Sequence, residues 1–386
     1  MNAVRVGIIG YGGMGGAHAE YLANGEVPNA VLTAVCDTSP DRLKAAREHL
    51  GERVQLFGDA EALFAAQAVD GVMIATPHYD HPPLARLAFR HGCHVLCEKP
   101  AGVYTKQVKE MNAAAARSGK VFALMFNQRT LLSHQKLREL VVSGEIGELR
   151  RVSYFLTSWF RSQFYYDSGQ WRATWAGEGG GVLINQCPHN LDLLQWITGM
   201  PKRARAFCEF GKHHNIEVED EVTAFLEYPN GATGLFVTST GEAPGTNRFE
   251  IAGDRGKVVL EEGKITFWRT RIPVSRFLRE SKQAFQAPEC WKCEIAGGAG
   301  DGHRGVTSSW VNAILKGTPL LARGEEGLAS LELSNAMLLS SWTDSWVEIP
   351  VDEDLFLRHL QEKVKTSKFK KPAAAGGLDF KGSYGV

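Results

Sequence analysis

Residues 4–22 read VRVGIIGYGGMGGAHAEYL, an apolar run that passes through a glycine cluster into a helical pattern. Gly10, Gly12 and Gly15 fall in the spacing G-x-G-x-x-G. The first glycine permits a tight turn, the second lets backbone approach a pyrophosphate, and the third lets helix and strand pack closely. A helix that opens there points free N–H groups and the positive end of its dipole at phosphate oxygens. In a chain with 41 glycines the spacing alone is weak. The strand before it, the helix after it and Asp37 at the end of the next apolar run make it specific. A carboxylate at that position accepts hydrogen bonds from an adenosine ribose and repels a 2′-phosphate. The chain is therefore expected to bind NAD in preference to NADP, with Arg42 softening the choice. Tyr11, Gly13 and Met14, the remainder of the loop, belong to the same cofactor-binding set.

The alternation continues through residue 127. Apolar runs at 4–9, 31–36, 71–76, 93–97 and 121–126 are separated by helical patterns near 14–24, 40–50, 81–91 and 104–118. Nearly continuous apolar strands suit a parallel sheet covered on both faces, so the pattern predicts a doubly wound α/β unit with right-handed crossovers. Beyond residue 145 the pattern changes. A helix at 132–143, a strand near 149–157, an aromatic-rich stretch to 176 and a helix over 182–198 lead into strand patterns. These fall at 203–210, 221–228, 232–239, 246–252, 256–261 and 264–269, and Asn230–Gly231 marks a two-residue hairpin between two of them. Residues 272–302 show no period; helices follow near 303–316, 324–343 and 352–364. The fold class is α/β. A Rossmann-type parallel sheet occupies 1–127, and an α+β domain with a large, open, mostly antiparallel sheet occupies 128–367. Residues 368–386 read as a mobile tail.

Bulk properties narrow the function further. A net charge of zero gives no electrostatic footprint for nucleic acid or an anionic membrane. No apolar run is long enough to span a bilayer, and the first strand begins too early to leave room for a signal peptide. Seven cysteines, an odd number scattered through strand and helix patterns, suit a reduced cytoplasmic chain. Cys290 and Cys293 have zinc-type spacing, but no second pair completes four ligands, so no metal is expected.

Two residues carry the chemistry. Lys99 leaves the strand HVLC through Glu98-Lys99-Pro100, at the end of a parallel strand where such sheets bind ligands. By spacing alone it is either a loop charge or a tool. His189 lies in the later helical pattern, with Asn185, Asp192 and Trp196 on the same expected face.

These motifs resemble the Gfo/Idh/MocA oxidoreductases. The resemblance rests on Gly10–Gly15, IATPHYDHPPLA, Glu98-Lys99-Pro100, FNQR, GEIGEL and GGGVLINQCPHNLDLLQWITG. It implies a two-domain enzyme with the nicotinamide at the domain boundary, assembled as a homodimer or homotetramer, and Lys99 and His189 as catalytic residues. It places Ala75, Thr76, Pro77, His78, His81, Glu98, Lys99, Asn127 and Arg172 around the cofactor. Substrate contacts are expected from Lys99, Asn127, Arg161, Tyr165, Arg172, Trp175, Asn185, His189 and Asp192. The family often carries aspartate where this chain has Asn185, which removes a carboxylate from beside the histidine.

The expected reaction is NAD-dependent oxidation of a secondary hydroxyl, with C3 as one candidate position, on a sugar, sugar derivative or cyclitol. Either Lys99 or His189 takes the proton. A redox-neutral glycosidase working through a transient 3-keto sugar, with Tyr165 or Tyr166 sharing the proton steps, is the alternative. A non-catalytic NAD-binding regulator is a minor one.

Overall fold

The computed structural model describes residues 3–367, so the expected tail from residue 368 lies outside the described residues. The first part alternates β1 (Val4–Ile9), α1 (Gly13–Ala23), β2 (Ala30–Cys36), α2 (Pro40–Leu50), β3 (Gln55–Phe57) and α3 (Ala60–Ala65). It continues through β4 (Gly71–Ile74), α4 (His81–Arg90), β5 (His94–Cys97), α5 (Thr105–Ser118) and β6 (Phe122–Leu124). The six strands are parallel in the order β3-β2-β1-β4-β5-β6, with the reversal between β1 and β4 that a doubly wound sheet requires. The strands β4, β5 and β6 are shorter than their apolar runs. The edge strand β3 and helix α3 were not anticipated, because three half-exposed residues carry no period.

Alternate residues of these strands enter two different cores, which is why the runs are apolar throughout. Ile9, Ala34, Cys36, Val72 and Ile74 face one side, and Val6, Ile8, Leu32, Val35 and Met73 face the other. The second side is closed from far along the sequence: Val306, Trp310 and Val311 of a helix at Gly302–Lys316 lie in that core. This helix was expected to belong with the second sheet. Its seat is close enough that a Cβ on Gly71 would meet the Trp310 ring at 2.8 Å.

The later part comprises α6 (Leu132–Val142), β7 (Leu149–Leu156), α7 (Gln163–Asp167), α8 (Pro188–Thr198), β8 (Arg203–Phe210), β9 (Glu219–Glu227) and β10 (Thr233–Ser239). Then come β11 (Asn247–Gly253), β12 (Gly256–Glu261), β13 (Lys264–Thr270), α9 (Val274–Glu280), β14 (Cys290–Ile295), α10 (Gly302–Lys316), α11 (Gly327–Thr343), β15 (Val347–Glu348) and α12 (Glu353–Thr366). A nine-stranded sheet runs β14-β13-β12-β11-β7-β10-β9-β8-β15, antiparallel except for the parallel pair β7–β10. The β9–β10 hairpin closes through a Tyr228–Ala232 pair, so its loop is Pro229-Asn230-Gly231 rather than two residues, and Gly231 takes φ +84° as three-residue hairpin loops demand. Within 272–302, α9 and β14 do form. Both are largely exposed, and an element without a buried face leaves no alternation to read. No helix among the described residues is long and apolar enough to cross a membrane.

Candidate active site

The carboxyl ends of the parallel strands open into a cavity of about 1300 Å³ that extends to the aromatic segment and the N-terminus of α8. At one end Gly10, with φ +94°, turns the chain out of β1. Gly15 does not reach the cavity; a Cβ there would stand 1.8 Å from the Gly10 carbonyl oxygen, so it serves the close packing of α1 on the loop. Gly12 caps α1 without a side-chain acceptor, and its absent Cβ would meet only Arg42 Nη1 at 3.8 Å. Unsatisfied first-turn N–H groups beside open space are what a dinucleotide pyrophosphate needs. Tyr11, Gly13 and Met14 complete this wall. Asp37, buried at the end of β2, accepts the Tyr11 N–H at 2.7 Å and the Ser39 N–H at 2.8 Å, and Arg42 Nη1 stands 3.5 Å away. These residues fit NAD.

Removing the Asp37 charge tests that fit. Asp37→Asn, with Arg42 left in place, is expected to lower the NAD:NADP ratio of kcat/KM by about tenfold or more, the equivalent of one charge-assisted contact. Steady-state kinetics with both cofactors reads it.

In the middle of the cavity, β5 delivers Glu98 and Lys99, and the Lys99–Pro100 peptide is cis. Glu98 lies 2.7 Å from His18 Nε2 and accepts the Lys99 N–H at 3.1 Å. Burial opposes its charge, but His18, His303 and Lys99 outweigh burial and hold the carboxyl at about 2. Lys99 Nζ donates to the Asn185 backbone carbonyl at 2.8 Å. Burial lowers its pKa, Arg172 and Arg161 push the same way, and Glu98 and Glu178 resist. His189 lines the same cavity from the first turn of α8. Its Nδ1 is buried without a hydrogen-bond partner, and burial together with the Lys99 charge drives its pKa well below the usual value. A depressed amine and a neutral imidazole thus face one space. Ala75, Thr76, Pro77, His78 and Asn127 line it between these groups and the glycine loop.

The far end is aromatic and basic. Arg172 lies over the Tyr165 and Trp171 rings at 4.6 and 4.8 Å, and Arg161 over Tyr165 and Trp159 at 5.1 and 5.4 Å. All five line the cavity, as does Asn185.

Four expectations need correction. Trp175 does not reach the cavity; it is buried against Trp342 and Phe210, and Trp171 takes the exposed place. Asp192 is buried away from the cavity, where Arg129 grips it through Nε and Nη2 at 2.8 and 2.6 Å. His81 is also outside it, its ring nitrogens 2.7 and 2.8 Å from the Pro100 and Thr76 carbonyls, so it ties together the loops after β5 and β4. Asn185 precedes α8, which starts at Pro188, so the expected single helical face does not exist. Residues 181–187 form turns instead. Cys290 and Cys293 are exposed on β14 and, three apart in a strand, point to opposite faces.

Trp159, Trp171, Gln186 and His303 also line the cavity without having been assigned to it. The two tryptophans carried an aromatic signal that could not be divided between core and site. His303 had none, since only the return of α10 brings it here.

A dinucleotide loop on a doubly wound sheet, joined to a cavity holding a depressed lysine and a neutral histidine, defines an NAD-binding oxidoreductase. Comparison with known proteins agrees. Residues 4–126 match the oxidoreductase family model with an NAD-binding Rossmann fold, and residues 134–259 match the GFO/IDH/MocA C-terminal domain. The chain belongs to the Gfo/Idh/MocA family. It is 31% identical to the D-glucoside 3-dehydrogenase of Escherichia coli over 61% of this chain and 70% of that one. It is 26% identical to the myo-inositol 2-dehydrogenase of Thermotoga maritima over 68% and 77%. Among solved structures, the WlbA dehydrogenase of Chromobacterium violaceum, in complex with NADH and UDP-GlcNAcA, superposes with a TM-score of 0.78 at 27% identity, covering 91% of this chain and 97% of that one.

Proposed function

We propose that the chain oxidises a secondary hydroxyl of a sugar, glycoside or cyclitol with NAD, that Lys99 takes the hydroxyl proton, and that C3 of a glycoside is the position attacked. The observation that carries this reading is that Lys99 and His189 line the same cavity as the glycine loop. When bound, NAD supplies the acceptor for the hydrogen carried on the substrate carbon. The loop from Gly10 to Met14 and the Asp37 carboxylate hold it. Lys99 suits the role of base because burial, reinforced by two guanidinium groups and only partly offset by Glu98 and Glu178, lowers the pKa of its amine. His189, neutral and with a vacant ring nitrogen, hydrogen-bonds the same hydroxyl and steadies charge developing on its oxygen. The Trp159, Tyr165 and Trp171 rings cover the apolar C–H faces of a pyranose, while Arg161, Arg172 and Asn185 meet its hydroxyls. The D-glucoside 3-dehydrogenase relative supports C3.

A panel of glucosides, free sugars and inositols with NAD at alkaline pH tests this, read by nicotinamide absorbance. Formation of NADH with a glucoside, and a 3-keto product by mass spectrometry, is the expected result. Release of nitrophenol from p-nitrophenyl glycosides without net NADH would instead establish the redox-neutral glycosidase.

The proposal extends to assembly and compartment. Phe207, Phe225 and Trp346 are exposed on the β8–β9–β15 end of the large sheet, a surface suited to a homodimer or homotetramer, which light scattering would reveal. All seven cysteines are unpaired, which suits the cytoplasm.

A further inference from the structure

Beside the lysine lies a carboxylate to which the proposed chemistry gives no task. Glu178 is only 1% exposed and immediately precedes Gly179–Gly181. Its backbone carbonyl lies 3.2 Å from His78 Nδ1, and its Oε2 accepts the Ala173 N–H at 2.5 Å. Its Oε1 accepts the side-chain amide Nδ2 of Asn185. Asn185 in turn gives its backbone carbonyl to Lys99 Nζ at 2.8 Å, and its Oδ1 accepts the Tyr165 hydroxyl at 3.4 Å. That hydroxyl also accepts Arg172 Nη1 at 2.8 Å.

An amide has a donor end and an acceptor end, whereas a carboxylate only accepts. Glu178 therefore decides which way Asn185 faces: nitrogen inward, oxygen toward Tyr165 and the cavity. The residue so fixed is the one whose main chain holds the lysine amine. We propose that Glu178 is a positioning residue that, through Asn185, presents an acceptor oxygen to the substrate and keeps Lys99 Nζ aimed at the reacting hydroxyl. The carboxylate that the family often carries at position 185 is replaced here by one held seven residues earlier in the chain.

This inference rests on the reading of Lys99 as the proton acceptor, and its electrostatic consequence follows directly. The charges acting on the amine are Glu98, Glu178, Arg161 and Arg172. The buried His78 and His189 rings, the half-buried His303 ring and the buried Cys187 thiol also interact with it. Of these, Glu178 is one of two that favour the protonated lysine. Removing its charge lowers the lysine pKa further, so the acid limb of kcat/KM moves to lower pH.

Three variants test the proposal. Glu178→Gln frees the Asn185 amide to turn, and is expected to lower kcat about tenfold, with a smaller change in KM, and to move the acid limb to lower pH. Asn185→Asp sets two buried carboxylates side by side and loses at least as much. The double variant lets the new glutamine donate to the new aspartate, restoring one negative charge and one donor–acceptor pair. It should return kcat/KM to within about threefold of the parent and bring the limb back. Acetic anhydride labelling of Lys99 against pH, read by mass spectrometry without NAD or sugar, should follow the same order. Glu178→Gln with the parent's pH limb and labelling curve would overturn the proposal. So would a folded double variant no better than the weaker single. If Glu178→Gln does not accumulate as folded protein, Asn185→Asp against the double variant decides by the same readouts. Should no sugar be oxidised by the parent chain, the proposed function fails, while the labelling curves still decide the role of Glu178.

Discussion

Lys99→Met is expected to lower kcat by about 10²–10⁴-fold, the range that a positioned general base supplies. Methionine keeps the length and apolar stem of the side chain but removes the amine that donates to the Asn185 carbonyl. The glycine loop and Asp37 are untouched by this change, so NAD affinity should stay within about threefold. Quenching of Trp159 and Trp171, which line the cavity, reports that affinity directly. With Lys99 as the base, the parent's kcat/KM is expected to fall on the acid side as the amine takes up a proton, and in the variant that limb should vanish. Full turnover in Lys99→Met would move the base to His189 and sink the assignment made here.

The second large effect is on stability. Arg129→Met is expected to cost about 3–5 kcal/mol, measured by urea unfolding. The Arg129 side chain is 1% exposed and joins Asp192, also 1% exposed, in a two-pronged pair. It also reaches Glu326, and its guanidinium lies over the Trp196 ring at 5.0 Å. Methionine fills much of the volume but leaves the Asp192 carboxylate buried without its cation, and uncompensated buried charge is the expensive outcome. Arg129→Met combined with Asp192→Leu should recover part of the loss, since replacing both members of a buried pair by apolar groups is often nearly neutral. A double variant as unstable as the sum of the two singles would show that the pair is not the source.

The elements that were legible in the sequence are those whose burial imposes a period. Continuous apolar runs revealed β1, β2, β4, β5 and β6, because residues on both faces of that sheet are covered. The glycine spacing revealed the dinucleotide loop, since Gly10 and Gly15 meet conformational and steric demands that no other residue satisfies. What could not be read depends on partners distant in sequence. Asp192 has helical spacing from His189, yet Arg129, in a short turn after β6, claims it. Trp171 and Trp175 are chemically alike, and the positions of Phe210 on β8 and Trp342 on α11 decide which is core. Asn185 sits in GVLINQ, whose apolar residues mimic a helix, but the segment is shaped instead by Gly179 at φ +83° and by the N–H groups of Gly181 and Leu183 bonding to Glu219. The β14 edge and α9 stayed hidden because exposure erases alternation.

The seating of Trp310 against Gly71 bears on how this chain comes into being. When a ribosome has released the whole parallel sheet, the side of it that carries Val6 and Ile8 still lacks the part of its cover that comes from α10, which is translated only after eight of the nine strands of the large sheet. The nascent cofactor-binding half therefore waits with that face covered by α1 and α2 alone, and the place that Trp310 fills stays open. Maturation of that half is tied to near-completion of the polypeptide, and a helper that shields that face during synthesis would have its work there.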